Sequence, residues 1–398
     1  MASIRTRALL AAGSTALALA LAWAWRAARQ PSGDPVRFTG DPAAVERLLL
    51  ERRRESDPGP SGAAGGIFGT ELVREPVSEA DASKLFAMPS DLFVYDPFTY
   101  YRYKGGLERE VPLPEHAGGH FQKRTSAEGW SEDWDHLPEK RDLFVVVAGD
   151  SHTDGLCDNR ESYANRLEAV LSERHPGMAI EVVNTGVSGY GFYNYLGVLE
   201  KLLPLKPQAF VVAFYGGNDF LDVVKPWHYF HHTAPPPYRA DYWNKLDRVK
   251  SFSSAAVAMA LNQLLYFQYN PDEVGRAQAG AAQACLEIVR SCAERGIRLF
   301  FVYIPPGIAV DGPQAPPIAR AKEELGLSDW DLAQYDRLSD QLIGVLRERG
   351  VEVIDLRPEL SGDRTRWYWA DLHINVRAHQ RIAELLLPRI EAACLSGR

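Results

Sequence analysis

Cysteine is scarce in this chain: four among 398 residues, at Cys157, Cys285, Cys292 and Cys394. That number excludes the disulfide framework on which small exported proteins depend. Cys285 and Cys292 fall on one predicted helix, about 10 Å of rise apart, beyond the reach of a disulfide. No pair has zinc-finger spacing, and Cys157 reads as a small apolar residue. Basic excess is lacking too. Forty-four lysines and arginines stand against 52 acids, giving a net charge of -8, and the two signs are interspersed. The chain therefore offers no electrostatic footprint for nucleic acid. No internal repeat is present. What remains, 46% apolar and 24% charged residues, is the composition of a soluble globular protein with one large or two ordinary domains.

The N-terminus departs from that composition. Ala8 to Trp25 carries no charge and follows Arg5 and Arg7, which by the positive-inside rule favours a cytoplasmic N-terminus. Ala18-Leu19-Ala20 and Ala22-Trp23-Ala24 fit small-x-small cleavage, whereas Arg26 and Arg29 resemble the flank of a membrane span. Residues 1–29 therefore read either as a cleaved signal peptide or as an uncleaved membrane anchor, with a buried N-terminal helix as the third alternative. No cysteine follows the run, so a lipoprotein anchor is unsupported. Under either of the first two readings the rest of the chain lies outside the cytoplasm, in a periplasm or at the cell surface.

Residues 30–66 mix arginines, acids, Pro and Gly, as a linker does, with one short helical stretch near Pro42 to Arg53. Residues 67–140 are aromatic and rich in turns, the pattern of a few strands or hairpins packing on the domain C-terminal to them. From 141 to 398 strand and helix signals alternate. Leu143 to Ala148, Ile180 to Val183, Ala209 to Tyr215, Ile297 to Ile304 and Val351 to Leu356 read as strands. Ser162 to Arg174, Asn194 to Leu203, Ala277 to Glu294, Leu332 to Arg349 and Arg377 to Leu395 read as helices. Five strands joined by helices predict an α/β protein, a three-layer α/β/α sandwich on a mostly parallel five-stranded sheet.

An insertion at about 223–270 interrupts the rhythm; it is rich in aromatics and histidine and ends in an apolar helical piece, Ala255 to Tyr269. It reads as a lid or a substrate-binding wall. His228, His231 and His232 have the spacing of one helical face, but no carboxylate or cysteine completes a metal set, so a solvated aromatic loop is the simpler reading. Pro235 to Pro237 forbid regular structure there.

The chemistry sits at the strand ends. Leu143 to Ala148 is apolar throughout, as in a strand covered on both faces, and stops at Gly149-Asp150-Ser151. In parallel sheets ligands gather at carboxyl ends, which makes Ser151 a candidate nucleophile; the same tripeptide is also an ordinary turn with a good helix cap. Asn184 to Gly189 (NTGVSG) follows the second strand and Gly216 to Asp219 (GGND) the third, so Ser151, Gly189 and Asn218 can converge. A backbone N–H at Gly189 and the Asn218 amide can serve a developing oxyanion, each donor being worth about 3 kcal/mol of barrier. Near the C-terminus, Asp371-Leu372-His373 offers a base in His373 and an orienting acid in Asp371.

These blocks resemble the SGNH hydrolase family, also called GDSL esterases/lipases, over about Leu143 to Leu387 without the insertion. GDSHTDG resembles its first block, NTGVSG the second, GGND the third and DLHIN the last. The resemblance implies a flavodoxin-like fold and ester hydrolysis through an acyl-serine on Ser151, with His373 as base and Asp371 behind it. It also implies an oxyanion hole from the Ser151 N–H, the Gly189 N–H and the Asn218 side chain, and no metal or organic cofactor. Two departures stand out. Many members place the acid three residues before the histidine, where this chain has Ala370, whereas Asp371 stands two before. The first block also reads Gly-Asp-Ser-His, and His152 is either a pocket residue or a side chain on the opening turn of a helix.

The leading reading is therefore an extracytoplasmic serine esterase removing an acyl group, acetyl among the candidates, from a carbohydrate or small molecule. An O-acyltransferase using the same acyl-serine on a glycan acceptor is the nearest alternative. A non-catalytic glycan-binding or assembly protein that keeps the fold is an alternative of another class.

Overall fold

The structure, a computed structural model, describes residues 72–86, 91–133, 141–309, 316–369 and 371–396. The expectations for residues 1–66, including the uncharged stretch Ala8 to Trp25, lie outside these. Among the described residues no helix is long and apolar enough to cross a membrane.

A short helix, Glu79–Leu85, precedes two antiparallel hairpins: β1 (Phe93–Asp96) with β2 (Tyr100–Tyr103), and β3 (Glu108–Pro112) with β4 (His120–Arg124). The other five strands are β5 (Leu143–Ala148), β6 (Ile180–Asn184), β7 (Ala209–Tyr215), β8 (Arg298–Ile304) and β9 (Glu352–Asp355). They form one parallel sheet in the order β6-β5-β7-β8-β9. Counted within the sheet this is 2-1-3-4-5, the flavodoxin-like doubly wound order, whose topological switch point lies between β5 and β7. The five strands expected from the sequence are present within a residue or two of their ends.

β5 is buried at every position, so its valines face neighbours on both sides, where β-branched side chains pack well. Leu143, Val145 and Val147 point into one cluster and Phe144, Val146 and Ala148 into the other. The first cluster is covered by α2 (Tyr163–Arg174) and α9 (Val376–Ile390). The second is covered by α3 (Phe192–Leu202), α7 (Pro271–Arg295) and α8 (Gln334–Glu348). α1 is the single turn Ser151–Asp154 after β5. Ser162 caps α2 by accepting the Asn165 N–H, and Asn375 caps α9 by accepting those of Arg377 and Ala378. Each side-chain oxygen satisfies N–H groups that the first turn leaves without helical partners.

In the insertion, the stretch read as a solvated aromatic loop is helical and packed, and the apolar helical piece expected at Ala255 to Tyr269 is present. α4 (Val224–Phe230), α5 (Tyr242–Phe252) and α6 (Ala255–Tyr269) fill most of it, and Phe230, Tyr242, Tyr266 and Phe267 are buried. Apolar rings that can reach a neighbouring core stabilise by leaving water, and here the core of α3 and α7 was within reach. The prolines at 235–237 stand outside any helix. The three histidines do not converge. His228 bonds Glu273 and Thr233, the His231 ring stacks on Trp227, and His232 faces Glu75. Among the described residues no group of three or more His, Cys, Asp or Glu side chains is arranged to hold a metal.

Candidate active site

The turn after β5 requires a glycine. A Cβ on Gly149 would lie 1.9 Å from Thr153 Oγ1 and 2.6 Å from Thr153 Cβ, both far inside contact distance, and 3.0 Å from the Ala213 carbonyl oxygen. Asp150 then caps α1, its side chain accepting the His152 N–H at 2.9 Å. Ser151 opens the helix at half-buried depth, at the switch point of the sheet.

His373 arrives from the far end of the chain. Trp367 pairs with Ile374 in an antiparallel bridge, the Tyr368 N–H donates to His373 O at 2.8 Å, and the Leu372 N–H donates to Tyr368 O at 2.9 Å. Within this tight turn Leu372 has φ +61°, a left-handed conformation that costs an L-residue roughly 1–2 kcal/mol. The result is that Ser151 Oγ and His373 Nε2 stand 2.8 Å apart. Asp371 is buried; its Oδ1 accepts the His373 backbone N–H at 3.0 Å and lies 3.6 Å from His373 Nδ1. That last distance exceeds a hydrogen bond and leaves an electrostatic contact.

Burial alone would lower the His373 pKa, but the charges of Asp371 and Asp150 outweigh it and hold the imidazole above its ordinary value. Asp150 is itself held above the usual carboxylate range, chiefly by burial. His152, in contrast, is pushed well below its ordinary value by burial and then by His373 and His379, so it is neutral. Its ring stacks on His373 with centroids 4.4 Å apart and lies tilted against Tyr215 at 4.0 Å, and its Nδ1 faces the Ile374 N–H at 3.4 Å. Of the two readings of His152, the structure bears out the side chain on the opening turn of a helix, and there its buried ring forms a wall behind the base.

Gly189 and Asn218 flank this pair on the neighbouring loops. The Val187 N–H donates to Gly149 O at 3.2 Å, which draws the 185–190 loop to the Ser151 turn. Gly189 is exposed with φ +80°, a conformation open to glycine at little cost. Asn218 is half-buried and its Nδ2 donates to Asp222 Oδ2 at 2.5 Å. An amide has two such hydrogens, so one stays available. Burial raises Asp222 to about 6 against the opposing effects of Asn218 and Lys225. Asp219 sits beneath, fully buried, accepting the Tyr215 N–H and the Tyr195 hydroxyl.

The structure thus joins Ser151, His373 and Asp371 directly and sets Gly189 and Asn218 on the loops beside them. Three features escaped the sequence reading. These are the stack of His152 on His373, the left-handed Leu372, and the tyrosines of β2 that reach the Gly189 loop. Only the first left a signal, a histidine directly after the candidate nucleophile.

No curated protein matches the chain. Among solved structures, TesA is 17% identical, with 63% of this chain and 99% of that chain covered and a TM-score of 0.37. A catalytic mutant of an acetylxylan esterase from Geobacillus stearothermophilus is 13% identical, with 64% and 96% covered and a TM-score of 0.37. The psychrotrophic esterase EstA from Pseudoalteromonas sp. is 12% identical, with 63% and 97% covered and a TM-score of 0.36. Likenesses of this size carry no inference about substrate. The model of the GDSL-like Lipase/Acylhydrolase family, in contrast, matches residues 147–381, more than half of the chain and all four sequence blocks, and the protein belongs to that family of ester-hydrolysing enzymes.

Proposed function

We propose that the protein hydrolyses an acyl ester of a carbohydrate, with acetyl as the simplest acyl group, through a covalent acyl-serine on Ser151. The observation that carries this reading is the 2.8 Å contact between Ser151 Oγ and His373 Nε2. Ser151 Oγ attacks the ester carbonyl carbon while its proton passes to Nε2. The carbonyl oxygen becomes an oxyanion, met by the N–H groups of Ser151 and Gly189 and by the free hydrogen of the Asn218 amide. Collapse breaks the ester C–O bond, and the alcohol leaves with the proton from Nε2. Water then attacks the acyl-serine by the same route, releasing the acid and restoring Ser151. Asp371 supports the imidazolium formed in each half.

The carbohydrate alcohol is supported by the aromatic rings of the insertion, where the half-buried Tyr238 meets Tyr242, Trp243 and Tyr266, since such rings can stack on a sugar. Residues 1–29 direct the chain out of the cytoplasm in this reading, supported by the uncharged stretch Ala8 to Trp25 behind Arg5 and Arg7. Cell fractionation of the full chain beside a chain lacking residues 1–29 tests it.

A chromogenic acetyl ester and a fluorophosphonate label test the chemistry. Turnover is expected to fall roughly 10⁴–10⁶-fold in Ser151→Ala, the range seen when a serine nucleophile is removed, with labelling abolished. Retained turnover would remove Ser151 from the mechanism. An acylated glycan formed in place of free acid, on adding a glycan acceptor, would make the enzyme a transferase.

A further inference from the structure

Gly189 stands on an exposed loop, and a backbone donor on such a loop stabilises an oxyanion only if it is held in place; a displacement of 1 Å can cost about 10²-fold in rate. The residues that hold it come from the hairpins ahead of residue 147, where the family match begins. The Tyr101 hydroxyl donates to Ser188 O at 3.1 Å, and the Tyr190 hydroxyl donates to Tyr101 O at 2.6 Å. The Tyr103 hydroxyl donates to Asp154 Oδ2 at 2.8 Å. Its one proton being so placed, it accepts from Ser188, whose Oγ lies at 3.0 Å and whose N–H lies at 3.4 Å.

Asp154 closes the helical turn that Ser151 opens. Its other oxygen pairs with Lys123 Nζ and accepts the Ser131 hydroxyl at 2.5 Å. Lys123 Nζ also donates to Ser131 Oγ at 2.8 Å and sits 4.5 Å over the Tyr103 ring. Tyr103, Lys123, Ser131 and Asp154 are all buried. A hydrogen-bonded charge pair in such surroundings has no alternative solvent partners, so the network is satisfied in one geometry only.

We propose that Tyr103, seconded by Tyr101, is a positioning residue: its hydroxyl bridges Asp154 to Ser188 and so sets the Gly189 N–H against the Ser151 turn. The hairpin β1–β2 is then part of the catalytic apparatus. The inference rests on the roles proposed for Ser151 and Gly189. Burial, then the Asp154 charge, keep the Tyr103 pKa well above its ordinary value, so the hydroxyl retains the proton that makes the bridge.

The test uses the full chain and a small chromogenic acetyl ester. Tyr103→Phe keeps the ring stacked on Phe93, 4.8 Å away, and removes only the bridge. The expected result is a fall in kcat of about tenfold or more with KM nearly unchanged. Ser188→Ala is expected to lower kcat, and to add little in the Tyr103→Phe background, because both changes break one connection. Leu342→Ala, in the core of α8 and remote from the network, supplies a variant of lowered Tm for comparison. A Tyr103→Phe kcat near the wild-type value, or a loss no greater than that of Leu342→Ala at matched Tm, would overturn the proposal. Activity surviving in Ser151→Ala would instead overturn the reading beneath it.

Discussion

The carboxylate of Asp371 accepts the backbone N–H of His373 at 3.0 Å yet stands 3.6 Å from its Nδ1. One oxygen thus fixes the main chain of the base and acts on its ring by charge. A substitution at Asp371 removes both effects. Asp371→Ala is expected to lower kcat toward the lower end of the roughly 10²–10⁴-fold range for losing acid–base support. A loss of only a few-fold, measured on the acetyl ester, would show that another group orients the imidazole.

The pH profile is set by the same charges. His373 acts as a base when neutral, and Asp371 and Asp150 hold its pKa above the ordinary 6.5. kcat/KM should therefore rise with pH and reach half its plateau above 6.5. In Asp371→Asn the half-point should move down; an unmoved half-point would assign the shift to Asp150. By linkage the raised folded value favours the protonated fold. That contribution is full below the unfolded pKa and disappears as pH rises through the folded one.

Leu372 keeps its left-handed backbone against a close neighbour. A Cβ on Gly307 would lie 2.9 Å from Leu372 O, 3.0 Å from Leu372 Cβ and 3.1 Å from the Trp367 ring. Gly307→Ala should cost about 1–3 kcal/mol of stability, as overpacking does, and should lower kcat by displacing His373. Denaturant unfolding and steady-state kinetics on one preparation check both halves. Full activity with lowered stability would mean that the turn yields without moving the base.

His152 is neutral and stacked on the base. His152→Phe keeps an aromatic ring there but removes the acceptor facing the Ile374 N–H. A fall of several-fold in kcat with unchanged KM is expected, since the ring reaches His373 and is buried away from solvent. A raised KM instead would place His152 in contact with substrate.

Much of the site was legible because its signals are local. Gly149 must be glycine within its own turn, and β5 announces itself by an unbroken apolar run. The first part of the insertion misled because aromatics around prolines resemble a loop until a partner surface is known; α3 and α7 supply that surface. Leu372 was illegible for another reason. Leucine has no preference for positive φ, and only the bridge from Trp367 to Ile374 and the cap at Asn375 impose it.

By itself, then, the sequence determined the order of strands and helices, the turn that presents Ser151, and the blocks that bear Gly189, Asn218 and His373. Each rests on periodicity or turn chemistry within a few residues. Tertiary structure alone decided that Asp371 reaches the base from two residues away, that His152 backs it, and that Tyr101 and Tyr103 reach the Gly189 loop. Apart from that of Asp371, those contacts join positions 85 to 222 residues apart, and no local pattern encodes a partner at that distance.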